Sequence, residues 1–338
     1  MNIVITGGAG FIGSHVAERL LREGRRLTII DNLNDFYPPA WKRQNLAEIS
    51  QAGPIDFHPV DICDQEAVFT ALAGAKPDVI VHLAARAGVR PSLEEPLLYE
   101  QVNVRGTLVM LEAARRFGVR KFILASSSSV YGAENRVPFR ETDCVDFPLS
   151  PYAATKIACE RLCYTYSHLY SISVVCLRFF TVYGPRQRPD LAIRKFVESI
   201  DQGRRIQVFG SGASARDYTY VEDIAAGVAA AVSYDCGYEL FNLGNSDPIT
   251  LADMIRTIEN VLGKKAAVDR VPEQPGDVPI TCADISKACR LLNYRPATKF
   301  PDGIEKFVAW HRRRPAPRPQ RQERLENETR TPIPHVFS

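Results

Sequence analysis

The sequence of 338 residues contains no long hydrophobic run and no paired cysteine motif. Since no apolar stretch approaches the roughly 18 residues that cross a membrane, no membrane partner is expected. A strand-like segment, NIVIT, follows Met1 so closely that we expect no secretory signal peptide. The eight cysteines lack both CxxC and Cys/His ligand spacing, which favours reduced core thiols over a disulfide frame or a metal site. These features predict a globular protein of the cytoplasm.

Excess charge is also absent from most of the chain. Residues 311–338 hold seven arginines and three glutamates, whereas the formal net charge of the whole chain is only +3. The remainder is therefore close to neutral and lacks the basic surface that nucleic acids require, so we expect no nucleic-acid binding. Residues 313–338 are rich in proline and arginine, which predicts a disordered tail, either solvated or bound to an acidic partner.

Short β-branched runs alternate with helical patterns before Phe180. The strand-like runs are NIVIT, RLTIID, IDFHPVD, DVIVHLAA, KFILASSSS and ISVVCLRFF, and helices are expected at about 11–23, near 95–117 and from Pro151. Strands that alternate with helices indicate βαβ units and a parallel sheet. We therefore predict an α/β fold in which residues 1–180 form a Rossmann-like, doubly wound parallel sheet.

The pattern changes after Phe180. The strand-like pieces IQVFG, DYTY and ELFNLG mix with helical patterns near 221–233, 251–262, 284–292 and 303–312. Thr250 and Asp253 have the spacing of a helix-start capping box. Residues 181–312 are therefore predicted to form a smaller mixed α/β substrate lobe, from which some segments return to the first domain.

A glycine-rich turn follows the first strand in VITGGAGFIGSHVAERLL. Gly8, Gly10 and Gly13 have GxGxxG spacing, and Gly7 adds a second reading as GxxGxxG. Glycine permits the tight turn and lets the backbone approach a pyrophosphate at the start of the next helix. Asp31 ends the second strand, where a carboxylate binds the adenosine ribose diol and repels a 2′-phosphate. The sequence therefore predicts NAD rather than NADP.

Other cofactor contacts are expected where later strands end, because ligands of open α/β sheets bind at the carboxyl ends of the strands. Asp61 alone is also compatible with an ordinary polar residue at a strand end. The predicted NAD-binding residues are Gly7, Gly10, Phe11, Ile12, Gly13, Asp31, Asn32, Asp61, Ile62, Leu83, Ala84, Ala85, Tyr152 and Lys156.

The segment SPYAATKIACERL carries a candidate acid/base pair. Ser150 and Pro151 are typical of a helix start, which places Tyr152 and Lys156 one turn apart on one helical face. A tyrosine titrates near pH 10, and a nearby ammonium together with a positive nicotinamide ring lowers that pKa. YxxxK is common by chance, but here it follows both the glycine-rich turn and the serine cluster SSSSVYG.

Together these motifs resemble the extended short-chain dehydrogenase/reductase family, and within it the nucleotide-sugar epimerase branch, over residues 1–312. The resemblance implies that Tyr152 is the acid/base and that Lys156 is its partner and a ligand of the nicotinamide ribose. Counted from VYG, Ser127 is the third catalytic group, and Ser128 is expected to contact the substrate. The resemblance also implies a homodimer and a tightly held NAD that is regenerated in each cycle.

The residue before VYG distinguishes reactions within the family that the chain resembles. Dehydratases and decarboxylases usually carry a carboxylate there, whereas this chain has Ser129. The resemblance therefore favours 4-epimerisation, in which Tyr152 removes the C4 hydroxyl proton while hydride passes to NAD. The 4-keto sugar then turns over and takes the hydride back on its other face.

Candidate substrate residues lie in three later segments. FFTVYGPRQRPD resembles the UDP-glucuronate 4-epimerases, which implies that Arg188 pairs with the sugar carboxylate and that Thr181 hydrogen-bonds it, with Arg186 nearby. Arg216, in GSGASARDYTYVEDIA, resembles the arginine that binds the substrate diphosphate in this family, and a guanidinium suits this role because it offers phosphate two permanently charged donors. Arg90 either contacts the substrate or pairs with a neighbouring glutamate.

The expected reaction is the interconversion of UDP-glucuronate and UDP-galacturonate. The alternatives are a UDP-glucose 4-epimerase, then a UDP-glucuronate decarboxylase, then a non-catalytic NAD-sensing protein. Ser129 disfavours the decarboxylase, and the complete set of Ser127, Tyr152 and Lys156 disfavours the sensor. A C5 epimerisation would require a further acid/base that the sequence does not identify.

Overall fold

The computed structural model describes residues 1–133, 136–272 and 278–313. The predicted tail lies outside these ranges, apart from Arg313. The strands are β1 (Asn2–Thr6), β2 (Arg26–Ile30), β3 (Ile55–His58), β4 (Val79–His82), β5 (Lys121–Ser127), β6 (Ser173–Phe179), β7 (Thr181–Tyr183), β8 (Ile206–Phe209), β9 (Ala215–Tyr220), β10 (Tyr238–Leu243), β11 (Pro248–Thr250) and β12 (Val268–Val271). The helices are α1 (Phe11–Arg22), α2 (Pro39–Ala52), α3 (Gln65–Ala75), α4 (Val89–Glu94), α5 (Pro96–Tyr99), α6 (Gly106–Arg116), α7 (Pro151–Tyr170), α8 (Ala192–Asp201), α9 (Val221–Ser233), α10 (Leu251–Leu262), α11 (Ser286–Leu291) and α12 (Phe300–Arg313).

Seven strands form a central sheet in the order β10-β6-β5-β4-β1-β2-β3. Every neighbouring pair is parallel. The strand order reverses between β1 and β4, and open α/β sheets bind their ligands in the crevice at such a reversal. The topology therefore places a binding crevice beside the turn that follows β1.

Helices cover both faces of this sheet, as the sequence pattern predicted. Because alternate strand residues point to opposite faces, Ile3 and Ile5 pack with α1 and α9, whereas Val4 packs with α3 and α6. The strands are therefore apolar on both faces. The arrangement is the predicted Rossmann-like, doubly wound α/β fold.

Two elements from the second half of the chain return to the central sheet. β10 pairs with β6, and apolar residues of α9 pack against those of α1. Residues 221–243 thus complete the central sheet and its helix layer rather than lying wholly within the later lobe. The sequence analysis expected some later segments to return but did not identify them, because the apolar face of a helix does not specify which partner will cover it.

The other later elements form a second core. β11, β9 and β7 make a three-stranded sheet, β12 pairs with β8, and α8, α10 and α12 pack around them. Thr250 accepts a hydrogen bond from the backbone N–H of Asp253 at 3.0 Å, as the capping-box spacing predicts. Asp217 is fully buried and accepts hydrogen bonds from the backbone of Asn245, Ser246 and Ala283. These bonds join β9 to two adjacent loops.

The helix expected near 95–117 is not continuous. It consists of α5, a π-helical turn over Glu100–Arg105, and α6. Within the turn, buried Asn103 accepts a hydrogen bond from Arg86 N at 2.8 Å and donates to Arg86 O at 3.0 Å and to Thr155 Oγ1 at 3.0 Å. The widened turn thus gives one side chain access to the loop after β4 and to α7, as π-helical turns often do at functional sites.

No helix in the described ranges is both long and apolar enough to cross a membrane. All eight cysteines lie within these ranges, and all are free.

Candidate active site

A cavity of about 460 Å³ lies along the carboxyl ends of the central strands. A volume of this order suits a bound small molecule or cofactor. Most of the residues that the sequence predicted as ligands line it: Gly7, Gly10, Phe11, Ile12, Gly13, Asp31, Asn32, Asp61, Ile62, Leu83, Ala84, Ala85, Ser127, Tyr152, Lys156, Thr181 and Arg188.

The glycine-rich turn forms one wall of the cavity. Gly7 has a φ of +70°, and a Cβ there would lie 2.8 Å from the backbone nitrogen of Ala84. A Cβ on Gly13 would lie 2.2 Å from the oxygen of Gly7. No side chain in the described residues caps the start of α1, so its first N–H groups are available to an anionic ligand. This wall fits a dinucleotide pyrophosphate.

Asp31 stands at the end of β2 with both carboxylate oxygens positioned by the backbone. Oδ2 accepts a hydrogen bond from Ala9 N at 3.1 Å, and Oδ1 accepts one from Leu33 N at 2.9 Å. Burial raises the pKa of this carboxyl, while nearby Lys42 opposes the rise. The adjacent Asn32 donates to Asp61, which lies beyond the end of β3, at 2.8 Å. The two acids thus have fixed orientations on the adenosine side of the expected dinucleotide.

The proposed catalytic groups meet at the ends of β5 and α7. Ser150 caps α7 by accepting a hydrogen bond from Ala153 N at 3.2 Å, which fixes the helix start as predicted. Lys156 Nζ lies 6.0 Å from the centre of the Tyr152 ring and donates to the backbone oxygen of Ala125 at 2.7 Å. Both side chains line the cavity, so the hydroxyl and the ammonium lie beside the space for a ligand.

Ser127 ends β5 on the same cavity. Its Oγ accepts a hydrogen bond from Ser129 N and donates one to Ser129 Oγ, both at 3.2 Å. Ser129 therefore orients Ser127 through neutral groups, and no carboxylate occupies this position. Ser128 starts the 3₁₀ turn over Ser128–Tyr131 and does not line the cavity. Its substrate contact stays a prediction.

A buried ion pair lies one helical turn beyond Lys156. Glu160 Oε1 accepts hydrogen bonds from Ser126 Oγ at 2.6 Å and from Arg178 Nε at 2.9 Å, while Arg178 Nη2 donates to Oε2 at 2.8 Å. Successive turns of α7 are thus tied to Ala125 and Ser126, successive residues of β5. The sequence analysis missed this network, although an arginine inside the apolar strand ISVVCLRFF was a usable signal.

His82 ends β4, but its side chain is buried among hydrogen-bonding partners of the protein itself. Its ring nitrogens bond the hydroxyls of Thr6 at 2.7 Å and Thr107 at 3.1 Å. Burial, with a contribution from the nearby Lys156 charge, lowers the pKa of His82 to about 3. The ring therefore stays neutral at physiological pH.

Arg188 and Thr181 also line the cavity. Arg188 donates from Nε and Nη2 to the two carboxylate oxygens of Asp190, at 3.0 and 2.7 Å, and from Nη2 to the oxygen of Ala87 at 3.2 Å. Its Nη1 makes no hydrogen bond within the described ranges. This guanidinium edge can therefore bind an anionic group in the cavity.

Two further cations, which the sequence analysis did not assign, line the cavity. Lys42 of α2 donates to the oxygen of Asn34 at 3.0 Å, and burial lowers the pKa of its ammonium. The guanidinium groups of Arg86 and Arg188 lie 5.9 and 5.2 Å from the ring centre of Phe36. With Lys156, four cations thus line the cavity against two carboxylates, Asp31 and Asp61, and this excess of positive charge suits an anionic ligand.

Arg90 and Arg216 lie away from the lining of this cavity. Arg90 is exposed, and its guanidinium is 5.0 Å from the ring centre of Phe209, in the segment IQVFG. Arg216 is half-buried in β9, where its Nη1 donates to the oxygen of Ala215 at 3.0 Å. Their expected contacts with the substrate stay predictions.

Comparisons with known proteins show the family of this chain. Residues 4–307 match the family described as GDP-mannose 4,6 dehydratase. A UDP-glucuronate 4-epimerase of Thermodesulfobacterium geofontis is 44% identical over 308 residues, which cover 91% of this chain and 95% of that relative. A UDP-glucuronic acid 4-epimerase from Bacillus cereus, solved with UDP-glucuronic acid and NAD, has a TM-score of 0.86 at 35% identity, covering 92% of this chain and 99% of that one.

A UDP-glucose 4-epimerase of Thermus thermophilus, solved with NAD, has a TM-score of 0.84 at 33% identity, with coverage of 92% and 99%. The name of the matching family model refers to a dehydratase, whereas these three proteins are epimerases. The chain therefore belongs to the extended short-chain dehydrogenase/reductase family, in its branch of NAD-dependent nucleotide-sugar epimerases.

Proposed function

We propose that this chain interconverts UDP-glucuronate and UDP-galacturonate by reversible oxidation and reduction at C4 of the sugar. The observation that carries the proposal is the position of Arg188, which lines the same cavity as Tyr152 and Lys156 and, within the described residues, uses only its Nε and Nη2 in hydrogen bonds. A neutral hexose has no charge for this group to bind. The Bacillus cereus neighbour is an enzyme for the acid, which supports this choice.

NAD fits the other end of the cavity. The glycine-rich turn lets a pyrophosphate approach the backbone closely, and Asp31 offers a carboxylate to the ribose diol. Phe11, Asp61 and Ala84 would border the adenosine and the phosphates. When bound, NAD supplies the reversible hydride acceptor that the reaction requires.

Tyr152 takes the proton of the C4 hydroxyl and later returns it. Lys156, which is held by Ala125, stabilises the phenolate, and Ser127 hydrogen-bonds the reacting oxygen. No second acid/base is needed, because C4 alone changes oxidation state. The neutral Ser129 suits this reaction, since an additional carboxylate would assist proton removal at C5.

Arg188 and Thr181, which we call the carboxylate clamp, have a second purpose. Oxidation at C4 produces a β-keto acid, which loses CO2 when the bond between C5 and the carboxylate aligns with the carbonyl π system. Arg188 and Thr181 hold the carboxylate out of that alignment. Such a charged, hydrogen-bonded contact contributes a few kcal/mol where it is largely desolvated.

A 4-epimerase for neutral UDP-hexoses is the second candidate, and the Arg188–Asp190 ion pair favours it. The two bonds to Asp190 satisfy much of the guanidinium without any substrate carboxylate. If Arg188 served only to hold its own loop, a neutral sugar would fit the cavity equally well.

The deciding experiment incubates the purified protein with UDP-glucuronate and, separately, with UDP-glucose, without added NAD. Chromatography that separates the C4 epimers, with mass detection, identifies the products. Formation of UDP-galacturonate in the first reaction alone supports the proposal. Formation of UDP-galactose in the second alone selects the neutral-sugar epimerase and leaves Arg188 without a role in substrate binding.

We also propose that the chain forms a homodimer through α5, α6 and α7. Leu97 and Leu108 are 83% and 37% exposed on α5 and α6, and Tyr164 is 53% exposed on α7. Light scattering should give twice the chain mass for the parent and the chain mass for Leu108→Glu. Leu291→Glu, at a leucine of nearly equal exposure on α11, should stay dimeric. A parent of single-chain mass contradicts the proposal.

Two smaller points belong to the same proposal. Arg216 is expected to bind the substrate diphosphate, so Arg216→Gln should raise KM for the nucleotide sugar without loss of NAD. The free cysteines suit a reducing compartment, and we propose the cytoplasm as the site of action. Cell fractionation with a specific antibody would test that location.

A further inference from the structure

The loop that carries Arg188 runs from β7 to α8, with the cavity on one side and helices α1 and α2 on the other. Gly184 begins it with a φ of +143°, and Arg186 follows with a φ of +64°. A non-glycine residue rarely adopts this left-handed conformation, because its Cβ crowds the backbone. Interactions of the Arg186 side chain must therefore offset the conformational cost.

Arg186 is held by two carboxylates from two helices. Its Nη2 lies 2.5 Å from Glu18 Oε1 of α1 and 2.7 Å from Glu48 Oε2 of α2, and its Nε donates to Glu48 at 2.8 Å. The Arg186 side chain is only 11% exposed. Ion pairs shielded from solvent are screened less than surface pairs, so these contacts hold the loop firmly.

The residues on either side of Arg186 are fixed as well. His15 Nε2 lies 3.0 Å from the oxygen of Pro185, and because a carbonyl only accepts, Nε2 is the donor. Arg194 Nη1 donates to the oxygen of Gln187 at 2.5 Å, and its guanidinium packs 4.2 Å from the ring centre of Trp41 on α2. Three consecutive residues before Arg188 are thus anchored outside the cavity.

We propose that Arg186 is a positioning residue for substrate specificity. Its ion pairs with Glu18 and Glu48 hold the loop so that the Arg188 guanidinium stays over the cavity. Arg186 does not itself line the cavity, so it acts only through Arg188. The inference rests on the proposed function, in which Arg188 binds the sugar carboxylate. The first turn of α1 also borders the expected cofactor site. The same helix therefore contacts both the cofactor and, through Glu18, the loop that carries Arg188.

The test compares Arg186→Gln and Arg186→Lys with Arg22→Gln. Arg22 pairs with the same Glu18 at 3.2 Å but is 65% exposed and lies at the far end of α1 from the cofactor, so it is a matched control. The readouts are KM and kcat for UDP-glucuronate, the fraction of UDP-pentose released, NAD retention, and backbone hydrogen exchange over residues 184–191.

For Arg186→Gln we expect KM to rise about tenfold, as for the loss of one charged hydrogen bond. We expect kcat to change less than about threefold, UDP-pentose release to increase, and residues 184–191 to exchange faster while NAD stays bound. Arg186→Lys keeps the charge, so its KM should lie between that of the parent and that of Arg186→Gln. Arg22→Gln should match the parent in every readout.

Unchanged KM and unchanged exchange in a folded Arg186→Gln variant overturn the proposal, as does a loss of kcat accompanied by release of NAD. If that variant does not fold, Glu48→Gln removes one partner from the outer side and should show the same KM and exchange effects in milder form. If the parent does not turn over UDP-glucuronate, the proposed function and the specificity role both fail. Faster exchange in Arg186→Gln would then still show that the ion pairs fix the loop.

Discussion

Glu160 and Arg178 form an ion pair that is almost completely excluded from solvent, directly behind the serine cluster of the active site. The carboxylate comes from α7 and the guanidinium from β6, and a hydroxyl of β5 donates to the carboxylate. Three elements that carry or adjoin the proposed catalytic residues are therefore joined by a single charged cluster.

Removing one member of this pair should be strongly destabilising, because the other charge would remain buried without a partner. We expect Arg178→Met to lower the free energy of unfolding by about 3–5 kcal/mol. Urea titration followed by circular dichroism measures the loss. Arg115→Gln removes an exposed pair with Glu112 and should change the same quantity much less, because solvent screens an exposed pair. Equal effects of the two substitutions would show that the buried pair contributes no more to the free energy of unfolding than the exposed pair does.

Tyr152→Phe should abolish proton transfer while leaving the cofactor in place. The ring, its contact with Tyr99 and the position of Lys156 are retained, so only the hydroxyl is lost. We expect kcat to fall by roughly 10²–10⁴. Turnover assays, together with the absorbance of NAD released on denaturation, test both parts. Retained turnover would exclude Tyr152 as the acid/base.

Substitutions in the carboxylate clamp should change which product forms. With Thr181→Ala or Arg188→Ala the carboxylate can rotate into alignment with the C4 carbonyl, so we expect more UDP-pentose per turnover than in the parent. Arg188→Ala should also raise KM for UDP-glucuronate by about tenfold or more. Mass detection of CO2 loss measures the first effect. If neither variant releases additional UDP-pentose, the clamp does not protect the intermediate.

Gly13→Ala should impair cofactor binding, because the new Cβ would lie 2.2 Å from the oxygen of Gly7 and the turn would have to move. Gly74→Ala is the matched control, since nothing lies within 4 Å of its Cβ position in α3. We expect the control to be neutral or more stable by about 0.5–1 kcal/mol. NAD content after purification and thermal unfolding distinguish the two. Full NAD content in Gly13→Ala would show that the turn tolerates a Cβ this close to the oxygen of Gly7, which would contradict the prediction.

Two buried histidines should make the fold sensitive to acid. Burial lowers the pKa values of His15 and His82 to about 3, whereas an unfolded chain binds their protons near pH 6.5. Between these values the unfolded state binds more protons, so stability falls as pH decreases from about 6.5 towards 3. Each histidine costs about 2 kcal/mol at pH 5. Urea titrations at pH 7 and pH 5 should give a smaller difference for His82→Gln than for the parent, and an equal difference would contradict this assignment.

The sequence predicted the elements whose signals are local. The glycine spacing, the Ser150 cap and the alternating runs each depend on a few adjacent residues, and each lies where it was expected. The helix α2 was not predicted, because its mixed composition lacks a clear apolar face. It nevertheless supplies Lys42 to the cavity and Glu48 to the Arg188 loop.

Contacts between distant segments could not be predicted in the same way. Arg186 was expected near the substrate carboxylate, but the structure directs it away from the cavity, towards Glu18 and Glu48. The sequence separations are 168 and 138 residues, and no local pattern encodes a partner at that distance. The return of β10 to β6 is another such long-range contact.

That return has a consequence for synthesis of the chain on the ribosome. Until residue 243 has emerged, the edge of β6 has no hydrogen-bonding neighbour and the apolar face of α1 that receives α9 is uncovered. A nascent chain that already contains the entire glycine-rich turn and Tyr152 would still expose both surfaces. The cofactor-binding half should therefore complete its folding late, after much of the second half has been made, and a fragment ending at residue 180 should aggregate rather than bind NAD.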